Sequence, residues 1–215
     1  MCIRDSYWAC CQKITKLIQD QDDVPEDMTD LVSKLASTYH VNLSIFKSAP
    51  DTWAIDQLFP VMPIHRLDQE PTVRGTLADL TCDSDGKIDR FIDRKEVKEL
   101  LELHPLQDGK PYYLGMFLVG AYQEIMGNLH NLFGSTNVTQ IQITPQGYKI
   151  EQLVKGDAIK DVLNYVDYDG QDLVEIMRRR TETALREDLI TIDEAQKLLS
   201  NYERGLSNYT YLVKK

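Results

Sequence analysis

Long apolar runs are missing from this sequence. The longest, YYLGMFLVGAY, falls well short of the ~20 residues a membrane-spanning helix requires, so no membrane span and no membrane association are expected. Positive charge is also short: 24 Lys and Arg stand against 34 Asp and Glu, a formal net charge of -10. An acidic chain without a Lys/Arg cluster is poorly suited to a phosphate backbone, which argues against nucleic acid. The one basic run, MRRRTE, has helical spacing and acidic flanks and reads as a solvated helix face. Cysteine is scarce. Cys2, Cys10, Cys11 and Cys82 form no CxxC pair and no metal knuckle, which fits a reducing, cytoplasmic setting. No secretory signal opens the sequence.

What is present is a globular composition, 215 residues of which 42% are hydrophobic. The first six residues, MCIRDS, resemble the translated end of a sequencing-library adapter, and 1–6 are read as an artefact of a truncated gene. Residues 7–40 read as the end of a helical insert, with helices over Tyr7–Gln19 and Met28–Tyr39 around the acidic loop DQDDVPED. A β-domain is expected over 41–156. Its expected strands are VNLSIF, VRGTLADLTC, KIDRFI and the buried run PYYLGMFLVGAY, followed by a hairpin, TNVTQIQIT and GYKIEQLV, around PQG. Within it, Glu96–Leu103 reads as a short helix or lid, and YQEIMGNLHNLF as a helical stripe. Residues 157–215 read as a helical bundle, with a capping box at Thr191 and Glu194 and Gly205 as the residue past the last helix. The class is α+β, mostly antiparallel, with flanking helices.

The stretch TCDSDGKIDRF imitates a calcium loop. An EF-hand needs oxygen ligands at positions 1, 3 and 5, Gly at 6 and a bidentate Glu at 12. With Gly86 at position 6, Asp83 and Asp85 fall correctly, but Thr81 holds position 1 and Ile92 position 12. YVDYDGQDLVEI fails likewise, at Tyr165 and Ile176. Calcium binding stands as the alternative. The ordinary reading is an Asp- and Gly-rich turn, built on side-chain-to-backbone bonds and positive φ.

Cys82 and Asp83 offer other chemistry. A thiol at the end of a strand can donate a proton or act as nucleophile, and a neighbouring carboxylate can hold a cationic group. The plain alternative is a small buried Cys beside a turn-forming Asp.

FKSAPDTWAIDQLFPVMPI, LADLTCDSDGKIDRFI, YYLGMFLVGAYQEIMGNLHNLFG and GLSNYTYL resemble the C-terminal part of the biosynthetic arginine decarboxylases. These belong to the pyridoxal-phosphate enzymes of the ornithine/diaminopimelate decarboxylase group. The resemblance implies a C-terminal β-domain, barrel- or sandwich-like, with the N-terminal β/α barrel and its cofactor lysine outside this chain. It implies that Cys82 reprotonates the substrate carbon after carbon dioxide leaves. Asp83 would bind the guanidinium of L-arginine, with Asp51 a second acidic contact. Tyr122 would contact the cofactor phosphate, and Gly120 and Ala121 would let the backbone approach it. The resemblance further implies a homodimer or higher homo-oligomer with shared active sites, and magnesium as a second cofactor. No metal ligand is assigned among these residues.

Overall fold

The computed structural model describes residues 3–18, 31 and 35–213. The acidic loop at 20–27 and most of the helix expected from Met28 lie outside the described residues. Two compact units divide the chain: Met1–Val41 with Asp51–Gly120, and Asn42–Pro50 with Ala121–Lys215. The hairpin and the C-terminal helices fall in the same unit.

The first unit opens with helix α1, Ile3–Ile18, which begins earlier than Tyr7. Cys11 and Ile18 on its expected apolar face are buried, whereas Leu17 is exposed. Ser37–His40 is a strand, β1, and not the end of a helix. Its residues, STYH, include β-branched and aromatic side chains, and its partner is strand β3, Val73–Ala78, in a parallel ladder from Ser37↔Gly75 to His40↔Ala78. Tertiary pairing thus overrides the helical spacing. The short strand β2, Val61–Pro63, lies between them in sequence.

On its other edge β3 pairs antiparallel with β4, Lys87–Ile88, through Leu77↔Ile88 and Ala78↔Lys87. KIDRFI is therefore two strands, β4 and β5 (Phe91–Ile92), and β5 pairs with β6, Val97–Lys98. The expected helix or lid at Glu96–Leu103 is instead β6 and β7, Leu101–Leu103, and β7 closes on β3 through Val73↔Leu103. Alternation explains it: Leu101 and Leu103 point inward and are buried, while Glu102 between them pairs with Lys98. Phe91, Leu77 and Ile88 complete this core.

The run expected to be one strand buried on both faces yields only β8, Leu114–Met116, paired with β2. Phe117 and Leu118 beyond it are exposed, and Leu118 takes a left-handed φ of 58° that no strand continues through. The described strands form one four-stranded and three two-stranded sheets, mixed with helices, and close no barrel.

In the second unit VNLSIF is not a strand. Ser44 caps a one-turn helix, Ile45–Ser48, by accepting from the Lys47 N–H, and buries Ile45 and Phe46. The helical stripe expected from Tyr122 breaks into one turn, Gln123–Met126, and a 3₁₀ turn at His130–Leu132. Gly127 ends the first turn, where a Cβ would stand 2.0 Å from the Lys47 carbonyl oxygen. Asn131 and Leu132 have positive φ, which prevents a continuous helix.

Strands β9, Val138–Thr144, and β10, Gly147–Val154, form the expected hairpin. A register shift between Ile150 and Gln152 keeps Leu153 opposite Thr139, so Ile141, Ile143, Tyr148, Ile150 and Leu153 share one exposed face. Helices α2 (Ile159–Tyr165), α3 (Gly170–Arg186) and α4 (Ile192–Leu206) follow. Val162, Val174, Thr181, Ala195 and Leu206 are their buried positions. The Thr191–Glu194 box forms, and α4 runs through Gly205 to end at Ser207. In the MRRRTE run, Arg178 and Arg179 both reach Glu175, at 3.5 and 3.0 Å, on an exposed face of α3.

Candidate active site

The β3–β4 connection is held from inside by a residue the sequence reading passed over. Asp79, 2% exposed, directs one carboxylate oxygen to both the Thr81 N–H and the Thr81 hydroxyl, each at 2.7 Å. Its own N–H donates to the Gly86 carbonyl at 2.8 Å, closing the base of the loop. Gly86 is buried, but its φ lies outside the left-handed region. Glycine is required there for space: a Cβ would stand 2.3 Å from Asp79 Oδ1 and 2.5 Å from Thr81 Oγ1. The only sequence signal for Asp79 is its spacing, two residues before Thr81, the pattern of a side-chain-closed turn.

On this frame Cys82 is exposed and Asp83 half-buried. Cys82 is therefore not a buried structural thiol. Asp83 accepts the Asp85 N–H at 2.9 Å, while its carbonyl accepts the Gly86 N–H at 3.1 Å.

The calcium reading finds no support. Strands flank the first loop, and Asp83 serves its turn. In the second near-match Asp169 is the N-cap of α3, accepting the Gln171 N–H at 2.6 Å. Among the described residues no three His, Cys, Asp or Glu side chains are grouped to hold a metal ion, magnesium included.

Asp51, half-buried, opens a one-turn helix, Asp51–Ala54, and its carbonyl accepts from the Ile55 and Gln57 N–H groups. Gly120 has φ +82° with nothing within 4 Å of where a Cβ would stand. Ala121 follows, exposed, and Tyr122 precedes the turn Gln123–Met126 with its ring largely in solvent. Gly120 is thus a left-handed glycine with open space where a Cβ would stand. Cys82 and Asp83 thus share one turn, Gly120 to Tyr122 one continuous stretch, and Asp51 a helix start.

His104, just past β7, is a buried hub of the first unit. Its Nε2 lies 3.0 Å from the Gln69 carbonyl, which only accepts, so Nε2 carries the hydrogen. The Tyr112 hydroxyl accepts the His104 backbone N–H at 3.0 Å and lies 2.9 Å from Nδ1, to which it donates. Tyr39 Oη donates to the His104 carbonyl at 3.0 Å. Burial pushes the Tyr39 phenol up, with Tyr112 adding to this and the Arg66 charge opposing it. An apolar-flanked His (LELHPL) between strand and proline is the faint signal of this role.

In this chain a mixed sheet carries the Cys82–Asp83 turn, and three helices follow further along the sequence. Residues 159–212 match the arginine decarboxylase C-terminal helical extension. Over 206 residues, 96% of this chain, the sequence is 65% identical to a biosynthetic arginine decarboxylase of Nostoc sp., and 64% identical to one of Thermosynechococcus vestitus. A crystal structure of the biosynthetic arginine decarboxylase from Campylobacter jejuni superposes with a TM-score of 0.73 at 31% identity, over 95% of this chain and 36% of that one. The chain thus resembles the C-terminal part of the biosynthetic arginine decarboxylases, and it spans 30% and 32% of the two curated relatives' lengths. Among the described residues no helix is long and apolar enough to cross a membrane.

Proposed function

We propose that this chain supplies the C-terminal part of an arginine decarboxylase, which converts L-arginine to agmatine and carbon dioxide in cytoplasmic polyamine biosynthesis. The observation that carries the reading is the Asp79-locked turn with its exposed thiol and half-buried carboxylate, in a chain 65% identical to such an enzyme.

The exchange is simple in balance: the bond from the α-carbon to the carboxylate breaks, carbon dioxide leaves, and one proton replaces it on that carbon. Pyridoxal phosphate, when bound, supplies the electron sink for that bond cleavage. Gly120, Ala121 and Tyr122 are the residues here that would hold its phosphate. Cys82 Sγ delivers the proton from a turn that Asp79 keeps in one geometry. Asp83 pairs with the guanidinium through its planar carboxylate, and Asp51 adds a second negative charge for the substrate's distal end. A thiol and carboxylate on an exposed turn suit a homodimer in which each protomer completes its partner's site.

The test is a chimera with this sequence replacing the matching region of the Nostoc enzyme. The chimera is expected to form agmatine and the 215-residue chain alone to form none. In the chimera Cys82→Ala should lower kcat about 100-fold with the cofactor's absorbance retained. Asp83→Asn should raise KM for arginine about tenfold. Wild-type turnover in Cys82→Ala, or agmatine from the isolated chain, would overturn the reading.

A further inference from the structure

Two loops of the first unit line an open cavity that the decarboxylase reading does not use. It is about 430 Å³ and is lined by His65, Arg66, Gln69, Gln107, Lys110 and Pro111. Its lining includes an arginine, a lysine, a histidine and two glutamines, and no acidic residue. Asp68, Glu70 and Asp108, the acidic residues of the same loops, are not among its lining. Such a concentration of donors is out of character for a chain with a formal net charge of -10.

The walls are built before any ligand arrives. The Gln69 N–H donates to the Arg66 carbonyl, and the Lys110 N–H to the Gln107 carbonyl, both at 3.0 Å, which closes each loop on itself. The Ile64 N–H bonds the Tyr113 carbonyl at 3.1 Å and ties one loop to the other. His104 joins them a second time, through Gln69 on one side and Tyr112 on the other. The Arg66 guanidinium lies 4.7 Å from the Tyr112 ring centre and, among the described residues, donates once, to the Pro105 carbonyl at 3.0 Å. That stacking and single bond fix its plane and leave most of its five N–H donors unspent. His65 packs its ring edge-on to Tyr113, 4.7 Å between centres. Arg66 also holds a left-handed φ of 54°, a strained backbone for an arginine.

We propose that this cavity is a binding site for the phosphoryl group of a small metabolite. A phosphate monoester carries close to two negative charges at neutral pH and three acceptor oxygens. That matches Arg66 and Lys110 in charge, and the amides of Gln69 and Gln107 with the His65 imidazole in donors. A carboxylate would leave one of the two cations uncompensated. The volume leaves room beyond the phosphoryl group for the rest of a small molecule.

The probe is inorganic phosphate, titrated into the 215-residue chain with chloride at matched ionic strength as control, and read by ¹H–¹⁵N NMR. Saturable shifts at Arg66 Nε and at the amides of Gln69, Gln107 and Lys110 are expected. Lys110→Gln, on an exposed turn, should weaken the phosphate midpoint about tenfold, as expected for one charge-assisted bond. Arg66→Gln should weaken it further, and if that variant does not fold, Lys110→Gln and the wild-type shift map decide the matter. Equal shifts with chloride, shifts scattered over surface lysines, or a midpoint unmoved in Lys110→Gln would overturn the site. Tighter binding of succinate than of phosphate would overturn the phosphoryl assignment.

Discussion

Replacing Gly86 by alanine tests the geometry of the Cys82 turn more directly than replacing Cys82. The added methyl would stand 2.3 Å from Asp79 Oδ1 and 2.5 Å from Thr81 Oγ1, so one of these groups must move. Asp79 is 2% exposed and its carboxylate holds the Thr81 N–H and hydroxyl, each at 2.7 Å. Hydrogen bonds to a charged group contribute about 1.5–3 kcal/mol each, so losing both sets a ceiling of about 6 kcal/mol. Partial relaxation of the loop brings the expectation to about 2–4 kcal/mol. Gly109→Ala is the control, because φ there is +71° with nothing within 4 Å of the new methyl. It should cost only the left-handed strain, about 1–2 kcal/mol.

Urea unfolding of both variants, followed by circular dichroism, gives the comparison. The steric account also requires coupling: in an Asp79→Ala background, Gly86→Ala should cost at least about 1 kcal/mol less than in the wild type. Gly86→Ala no more destabilising than Gly109→Ala, or additivity with Asp79→Ala, would refute the reasoning.

Leu103, with 0% exposure, should cost about 2–5 kcal/mol on truncation to Ala, measured by the same unfolding curves; a loss below 1 kcal/mol would mean that β7 is not a core strand. Gly120→Ala in the chimera should raise the pyridoxal phosphate concentration needed for half-activity, and unchanged cofactor dependence would remove Gly120 from the phosphate contact. Burial pushes the Glu102 carboxyl up, but its bonds to Lys98 and to its own backbone N–H, with the Lys98 and Arg74 charges, outweigh this and leave it below the ordinary carboxylate value. A depressed carboxylate stabilises above its unfolded pKa of about 4.3, and that contribution is lost as pH falls through the folded value. Glu102→Gln should therefore flatten the fall in stability between about pH 5 and pH 3, and parallel curves for variant and wild type would contradict it.

The sequence by itself determined the class, the C-terminal helices and the hairpin, because those rest on local signals. Thr191 and Glu194 cap α4 through bonds within three residues, and the strands around PQG alternate regardless of what they meet. The resemblance carried by TCDSDG and VGAYQEI led to the family, and it did so through residues rather than through periodicity. Tertiary structure decided the rest. Ser37–His40 has helical spacing before it but a parallel partner in β3, and Leu101–Leu103 becomes a strand because β3 offers an unpaired edge. The run YYLGMFLVGAY is apolar in sequence, yet Leu118 and Gly120 turn through positive φ and end the strand at Met116. Gly86 looked like a turn glycine chosen for its backbone freedom; only the fold brings the Asp79 carboxylate to within a methyl's radius of it. Local chemistry writes caps and turns into the sequence. Which buried carboxylate leaves no room for a side chain is a property of groups that meet only when the strands pair.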